Sequence, residues 1–174
     1  MPVYLINGAS GTGKTTIGRE LEKRGFRVID TDKSFGYFAN LGTEEPVEYP
    51  KRDPDAKWYE INGWIWNRKK VEKILEEGTH ETIFLCGGSL NDDIFYHKMA
   101  AIFRLYTSPE ILKKRLLTYE NAKYTNSPAF VERMLDLVKR SKADAKMMSW
   151  YIIDTSNNTV EQSVNEIFRN IHDN

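Results

Sequence analysis

Apolar residues occur along the chain in short continuous runs that alternate with longer runs of helical spacing. The short runs are Val3–Ile6, Phe26–Ile29, Thr82–Cys86, Ala101–Tyr106 and Tyr151–Ile153. A run that is apolar on both faces is typical of a strand in a parallel sheet covered by helices. The pattern therefore predicts an α/β fold, with a five-stranded parallel sheet and helices on both faces.

Local signals in the sequence place one end of each of three predicted helices. Gly25 is suited to end the first helix, and Ser108 followed by Pro109 is suited to begin the helix after the fourth strand. Thr159 and Gln162 have the spacing of a capping box ahead of a final amphipathic helix. These signals agree with the strand assignments on either side of them.

Two segments fit the sheet poorly. Residues 36–62 contain three prolines and a cluster of charges, so we expect an irregular insert or a small subdomain there. Residues 119–128 are polar and interrupt two helical stretches. Long loops in a compact domain are usually functional, and we expect the whole chain, residues 1–174, to form one domain.

Composition restricts the function. The 25 basic and 25 acidic residues cancel, which argues against nucleic acid or a membrane surface as the main partner. Cys86 is the only cysteine, so an internal disulfide is excluded. The chain has neither a run of about 20 apolar residues nor a secretion signal, and we expect a cytoplasmic enzyme. A monomer and a homodimer are both compatible with these observations.

The strongest motif is a glycine-rich loop between the first strand and the first helix. The segment from Gly8 to Thr15 matches the pattern G-x-x-x-x-G-K-[ST] in the strand–loop–helix context that phosphate binding requires. Lys14 would contact the terminal phosphates, and the Thr15 hydroxyl would ligate Mg²⁺. The residues expected to bind ATP here are Gly8, Ala9, Ser10, Gly11, Thr12, Gly13, Lys14, Thr15 and Thr16.

This loop and the Asp30-Thr31-Asp32 run after the second strand resemble the small P-loop kinases, which include shikimate kinase, gluconate kinase and the nucleoside monophosphate kinases. Gly87-Gly88 is similar to a glycine-rich strand end of that family. The resemblance implies a nucleoside monophosphate kinase-like fold, a lid at about 119–128 and an acceptor-binding insert at about 36–62. It also implies that Ser156 lies in a loop that binds the nucleotide base.

The acidic pair has a chemical use in such a kinase. Asp30 would hold a water of the Mg²⁺ shell, and Asp32 would orient or deprotonate the acceptor hydroxyl for attack on the γ-phosphorus. The alternative is that both residues cap the helix that follows them.

Phosphoryl transfer also needs positive charges around the migrating group. Arg115 matches the family arginine that packs on the nucleotide base, and we include it among the catalytic residues. Tyr119 stands where the family places a second, phosphate-facing arginine. Arg133 is our preferred substitute, while Lys123 and Arg140 are better interpreted as solvated charges.

The acceptor side is less specific. Three of the four tryptophans lie in residues 58–66, where they form either a stacking platform for an acceptor ring or a small aromatic core. Cys86, inside an apolar strand, is expected to be a buried hydrophobe.

These observations predict an ATP- and Mg²⁺-dependent phosphotransferase that acts on a small hydroxyl- or phosphate-bearing metabolite. A nucleoside or nucleoside monophosphate kinase is the alternative within enzymes. A regulatory switch that hydrolyses a nucleoside triphosphate is the alternative from a different class.

Overall fold

The central sheet has five parallel strands, as the sequence pattern predicts, and they lie side by side in the order Arg27–Asp30, Ile83–Cys86, Val3–Asn7, Ala101–Tyr106 and Tyr151–Asp154. The computed structural model describes residues 2–51, 54–77, 80–118 and 128–172. The strands of this sheet are β1 Val3–Asn7, β2 Arg27–Asp30, β5 Ile83–Cys86, β6 Ala101–Tyr106 and β7 Tyr151–Asp154. β1 is the central strand, and its residues are buried throughout.

Helices cover both faces of the sheet. They are α1 Lys14–Lys23, α2 Thr31–Ser34, α3 Ala56–Ile61, α4 Arg68–Glu77, α5 Pro109–Leu117, α6 Pro128–Met147 and α7 Val160–His172, with a 3₁₀ helix at Asp92–Lys98. α1 and α7 pack on one face around Phe84, Phe103 and Ile153. On the other face, Leu5 and Leu85 pack against residues of α4 and the 3₁₀ helix.

The predicted helix ends are confirmed. Gly25 follows α1 with a φ of 88°, and the Ser108 hydroxyl accepts a hydrogen bond from the Ile111 amide at 3.3 Å. Thr159 and Gln162 form the reciprocal bonds of a capping box, at 3.1 Å and 2.8 Å. Short-range signals were sufficient here because a cap involves residues only three positions apart.

The segment 36–62 is more regular than the sequence predicts. β3 Gly36–Asn40 and β4 Asn62–Trp66 pair as a two-stranded antiparallel sheet, and α3 leads directly into β4. Pro46 and Pro50 lie in the connection between the strands, where they do not interrupt the pairing. The paired strands, here called the β3–β4 hairpin, hold aromatic side chains beside the carboxyl end of the central sheet.

The carboxyl ends of β1, β2 and β5 lie side by side. Asp30 is in register with Cys86, which is in turn in register with Ile6. The edge is close-packed at Gly87, since a Cβ there would lie 1.7 Å from the Thr31 hydroxyl oxygen. Ligands of open α/β sheets bind at this edge, so the residues that follow these three strands are the candidates for a site.

Candidate active site

The loop from Gly8 to Thr15, called the P-loop below, has the backbone that phosphate binding requires. Gly8 has no room for a side chain, because a Cβ would lie 2.8 Å from the Leu105 carbonyl oxygen. Gly13 caps α1 in the left-handed region with a φ of 104°. The N-terminus of α1 and its free amides therefore face the space that a triphosphate would enter.

Contacts from distant parts of the chain hold the P-loop in place. The Thr155 hydroxyl donates to the Thr12 carbonyl oxygen at 2.9 Å. The Arg115 guanidinium donates to the Gly11 carbonyl at 3.3 Å and to the Thr155 carbonyl at 2.9 Å. Arg115 thus joins the P-loop to the loop after β7, and one residue positions both sides of the nucleotide cavity.

The nucleotide cavity has a volume of about 460 Å³ and is lined by the P-loop from Ser10 onward, by Thr16 of α1 and by Arg115. Thr155 and Asn158 also line it, and neither was singled out in the sequence. Ser156 does not line it, and its hydroxyl accepts a hydrogen bond from the Ser108 amide at 2.8 Å. The family resemblance pointed to the loop that holds Ser156, and within this loop the structure places Thr155 and Asn158 at the cavity instead.

Lys14 lies inside the P-loop. Its Nζ donates to the carbonyl oxygens of Gly8 and Ala9, at 2.8 Å and 3.1 Å. Burial lowers the pKa of the Lys14 ammonium from its ordinary value, and the nearby Asp32 carboxylate acts in the opposite direction. The ammonium and this carboxylate are therefore close enough to influence each other's charge.

Asp30 caps helix α2, which is the role that the sequence analysis gave as the alternative to a contact with the Mg²⁺ shell. Its carboxylate accepts a hydrogen bond from the Lys33 amide at 3.3 Å and forms an ion pair with the Lys33 ammonium at 3.1 Å. It lines neither of the two cavities of the site. A contact to the water shell of a metal stays a prediction.

Asp32 instead faces the site. Its side chain opens onto both cavities, and its Oδ1 accepts a hydrogen bond from the Trp64 indole N–H at 3.2 Å. Desolvation raises the pKa of the Asp32 carboxyl group, while the Lys14 charge and the indole hydrogen bond lower it. No sequence signal linked Trp64 to Asp32, because the contact joins β4 to the start of α2.

A second cavity, called the acceptor cavity below, has a volume of about 680 Å³ and lies next to the first. The β3–β4 hairpin and its connection form one side, which we call the aromatic wall: Phe38, Tyr49, Trp58, Tyr59 and Trp64 are linked by ring contacts with centroids 4.6–5.6 Å apart. All of these except Trp58 line the cavity, and Leu137 and Met134 of α6 face it.

The predicted tryptophan cluster is divided between two roles. Trp64 lines the acceptor cavity, as a platform residue would. Trp66 is fully buried and packs edge-on against Phe35, with ring centroids 5.3 Å apart, as a core residue would. The core interpretation therefore holds for Trp66, and stacking of an acceptor ring on Trp64 stays a prediction.

Of the residues that the structure describes, Ser10, Lys14 and Asp32 line both cavities. The P-loop lysine and a carboxylate consequently stand at the point where a nucleotide phosphate and an acceptor would meet. This arrangement is suited to transfer a charged group from one cavity to the other.

Arg133 of α6 also lines the acceptor cavity, with its guanidinium 4.4 Å from the centroid of the Tyr59 ring. Arg140 lies further along α6 and does not line it. Lys123, Tyr119 and most of the predicted lid at 119–128 lie outside the described residues. Of the two candidates within the described residues, Arg133 and Arg140, only Arg133 lines the acceptor cavity.

Arg104 is a cavity residue that the sequence analysis passed over. It lies in the middle of β6, within a run that was interpreted as a buried strand, and its guanidinium is 5.9 Å from the Trp150 ring. A charged residue inside an otherwise apolar strand is the signal that could have identified it. Asp92 lies nearby and accepts a hydrogen bond from the Tyr96 hydroxyl at 2.6 Å.

Cys86 is buried, as expected, and burial raises its pKa to about 12. A thiol with such a pKa is protonated at neutral pH and is not a nucleophile.

The residues present fit a magnesium ion of the kind that accompanies ATP. The Thr15 side chain is exposed at the nucleotide cavity and offers a hydroxyl oxygen, the type of ligand that Mg²⁺ prefers. The described residues contain no cluster of His, Cys, Asp or Glu that would hold a metal by itself. The phosphate oxygens of a bound nucleotide and water molecules would supply the remaining ligands.

The fold and the site define the class of the protein: it is an ATP-dependent small-molecule kinase built on a P-loop. The family model described as AAA domain matches residues 5–136, and the chain belongs to this family.

Individual relatives agree with this class. A shikimate kinase of Bacillus cytotoxicus is 28% identical over 180 residues and covers 99% of each chain. Among solved structures, a shikimate kinase from Acinetobacter baumannii in complex with shikimate has a TM-score of 0.63 at 20% identity and covers 99% of this chain and 94% of its own. A gluconokinase from Sinorhizobium meliloti 1021 has a TM-score of 0.58 at 14% identity, covering 99% and 92%.

Within the described part of the chain, no helix has the length and apolar character needed to cross a bilayer.

Proposed function

We propose that this kinase transfers the γ-phosphate of ATP to a hydroxyl group of a small metabolite bound in the acceptor cavity. The observation that carries the proposal is the position of Lys14 and Asp32, which line both cavities. The class of the relatives supports it. A cytoplasmic location, where ATP is abundant, forms part of the proposal.

In the reaction, the oxygen of the acceptor hydroxyl forms a bond to the γ-phosphorus, and the bond from that phosphorus to the β–γ bridging oxygen breaks. Asp32 accepts the hydroxyl proton or a hydrogen bond from it, and ADP leaves. Lys14 neutralises charge on the γ-phosphate during the transfer. After release of the products, the proton passes from Asp32 to solvent.

The other site residues act by positioning. Arg115 holds the P-loop against the loop after β7, so it fixes the nucleotide cavity on both sides. Arg133, stacked on Tyr59, provides positive charge on the acceptor side. Mg²⁺, held by the Thr15 hydroxyl with Asp30 in its water shell, would supply charge neutralisation at the β- and γ-phosphates.

A nucleoside kinase is the second candidate, and the aromatic wall favours it. Planar rings such as Tyr59 and Trp64 stack well on a nucleobase. Both candidates use the same chemistry at Asp32, since each acceptor presents a hydroxyl group. They differ only in what fills the rest of the acceptor cavity.

The test is ADP release measured with a coupled assay in the presence and absence of acceptors. The panel contains nucleosides, nucleotides, sugar acids and aminoglycoside-like alcohols. We expect slow ADP release without an acceptor and a large increase with one class. ADP release that no acceptor changes and that a protein partner stimulates would favour the regulatory switch instead.

The variant Lys14→Met tests the role of the P-loop lysine in this reaction. Removing its charge should lower acceptor-dependent turnover by about 100-fold or more, the loss typical of removing one group that stabilises charge in the transition state. Lys23→Met, at the exposed end of the same helix, is the control and should keep full activity. Retained activity of Lys14→Met would contradict the role of the P-loop.

A further inference from the structure

Charged side chains of both signs line the acceptor cavity. Within the described part of the chain these are three cations and three anions: Lys14, Arg104, Arg133, Asp32, Asp92 and Asp144. The proposed transfer uses the two of them that also line the nucleotide cavity, Lys14 and Asp32. Two charges of each sign remain, so the rest of this lining is complementary neither to a purely anionic nor to a purely cationic acceptor.

Two of the four remaining charges already have contacts within the protein. Arg133 is stacked on the Tyr59 ring. The Oδ1 of Asp92 accepts a hydrogen bond from the Tyr96 hydroxyl at 2.6 Å, and its Oδ2 accepts one from the Ser89 amide at 3.2 Å. Both oxygens of Asp92 therefore have a donor without any ligand, and this residue is suited to hold the cavity wall.

Arg104 has an unused donor at this cavity. It lies in β6, in register with Asn7 of β1, and its guanidinium is 5.9 Å from the Trp150 ring. Its Nε is buried and has no hydrogen-bond partner among the described residues. A buried donor of this kind is unfavourable unless water or a ligand supplies an acceptor.

Asp144 of α6 offers an unused acceptor to the same cavity. It is half-buried, and its carboxylate forms neither a hydrogen bond nor an ion pair with the residues that the structure describes. Burial lowers the pKa of the Arg104 guanidinium, and the Asp144 charge is among those that oppose this change. The two residues are thus close enough to influence each other without being paired, and both face the cavity.

A ligand that satisfies both residues must present an acceptor and a donor side by side. A carboxylate has no donor for Asp144, and an ammonium group has no acceptor for Arg104. The edge of a nucleobase has both, since an N–H group lies next to an oxygen or a ring nitrogen. A sugar hydroxyl can also donate and accept, but a planar base covers the flat surfaces of Trp150 and the aromatic wall better.

We propose that the acceptor is a nucleoside, and that Arg104 and Asp144 together bind the edge of its base. The Nε of Arg104 donates to an acceptor atom of the base, and the Asp144 carboxylate accepts from the neighbouring N–H group. The inference rests on the proposed function, since a hydroxyl of the sugar faces Asp32. One nucleoside can contact both ends of this arrangement, because Arg104 is near enough to Lys14 to add to the lowering of its pKa by burial.

The first test is binding of nucleosides to the full chain, measured by isothermal titration calorimetry with ADP and Mg²⁺ present to fill the nucleotide cavity. Each nucleoside is paired with an analogue whose base lacks the donor: adenosine with nebularine, cytidine with zebularine, inosine with 1-methylinosine and uridine with 3-methyluridine. We expect at least one nucleoside to bind about 10-fold or more tightly than its analogue, the factor associated with one charge-assisted hydrogen bond. Equal affinities in every pair would overturn the proposal, as would failure of all four nucleosides to bind.

Variants assign the effect to the two residues. Asp144→Asn keeps the shape of the side chain and removes its charge, so it should weaken the preferred nucleoside about 5-fold or more and leave its analogue unchanged. Arg104→Gln should weaken both about 10-fold, because both keep the acceptor atom. A preference of unchanged size in Asp144→Asn would contradict the assignment.

Matched controls change the same charges elsewhere. Asp136→Asn alters an exposed carboxylate of the same helix, which is paired with Lys139, and it should have no effect. Arg169→Gln does the same for an exposed arginine of α7. The melting temperature and the ADP affinity of each variant show whether its fold is intact.

Turnover separates this inference from the proposed function. With the preferred nucleoside as acceptor, Asp144→Asn should raise the acceptor KM about 5-fold or more, with a smaller change in kcat, because the base does not take part in the transfer. Efficient transfer to sugar acids and to no nucleoside would retain the phosphotransferase and refute this inference. If no alcohol of any class stimulates ADP release, the proposed function fails, and the inference that rests on it fails too.

Discussion

Asp32 opens onto two cavities, and its carboxylate contacts a tryptophan from another part of the chain. This placement predicts the result of Asp32→Asn, which keeps the shape of the side chain and removes its basicity. Because the proposed mechanism makes this carboxylate act on the acceptor hydroxyl, turnover should fall by about 100-fold or more while the KM for ATP changes little. Steady-state kinetics with ATP and acceptor varied separately measure both quantities. Equal losses in kcat and in ATP affinity would instead place Asp32 in nucleotide binding.

The Trp64 indole should set the pH range in which Asp32 acts. Burial raises the pKa of the Asp32 carboxyl group, and the indole N–H lowers it by favouring the charged form. The proposed mechanism needs the ionised carboxylate, so activity should fall as the pH drops through this raised pKa. Trp64→Phe removes the hydrogen bond, raises the pKa further and should move the acidic limb of the kcat/KM profile to higher pH.

Trp58→Phe is the matched control for that profile. Trp58 belongs to the same aromatic wall, but its ring contacts Phe38 and Tyr49 rather than the carboxylate. Its substitution should leave the position of the acidic limb unchanged. A profile of Trp64→Phe that coincides with the wild type would show that the indole hydrogen bond does not influence Asp32 during turnover.

At the level of elements, the β3–β4 hairpin connects the acceptor cavity to the Asp32 carboxylate. Gly36 of β3 lies directly beneath Trp64, and a Cβ at this position would be 2.4 Å from the indole ring. The absence of a side chain at Gly36 is therefore what lets the indole reach Asp32. The hairpin positions a residue that belongs to the wall and to the site at once.

Gly36→Ala should disturb the site through this contact. The added methyl group must displace the indole, so we expect a loss of about 1–3 kcal/mol in the free energy of unfolding, as in other overpacked positions. The shift of the acidic limb should match that of Trp64→Phe and should not add to it in the double variant. Urea unfolding and pH–rate profiles measure the two effects. Gly42→Ala, whose methyl group would meet only the Asn40 side chain, is the control.

The sequence was sufficient to predict those structural elements whose signals are local. The strand before Gly8, the P-loop and the capping box at Thr159 each depend on residues within a few positions of one another. The hairpin was missed because Gly36–Asn40 and Asn62–Trp66 pair across more than 20 intervening positions, with prolines between them. Pairing at that separation depends on tertiary packing rather than on local preference.

The same distinction applies to the site. The position and backbone shape of the P-loop could be predicted, because one short segment supplies both its shape and its chemistry. Gly8 and Ala9, which were also expected to bind ATP, line the acceptor cavity and not the nucleotide cavity. The Trp64–Asp32 contact and the position of Arg104 beneath the acceptor cavity required the assembled fold. Asp30 and Asp32 are two residues apart, yet one caps α2 and the other faces the cavities. Chain proximity alone could not separate their roles.

For the whole molecule, both cavities are lined by residues that follow strands of one central sheet, so binding in either should stabilise the entire domain. We expect a single cooperative unfolding transition, as for most domains of this size. Saturating ATP with Mg²⁺, at about 100 times its Kd, should raise the unfolding free energy by about 2.7 kcal/mol. Differential scanning calorimetry with and without the nucleotide measures this change. Two separate transitions, only one of them shifted by ATP, would contradict the single domain.

The destination of the γ-phosphoryl group tests the central claim most directly. Phosphorus-31 NMR of a reaction that contains ATP, Mg²⁺ and the best acceptor distinguishes a phosphate ester from inorganic phosphate. The account predicts a new ester resonance that grows in equal amount with ADP and is absent with Lys14→Met. Accumulation of inorganic phosphate alone, at a rate that does not depend on the acceptor, would contradict it.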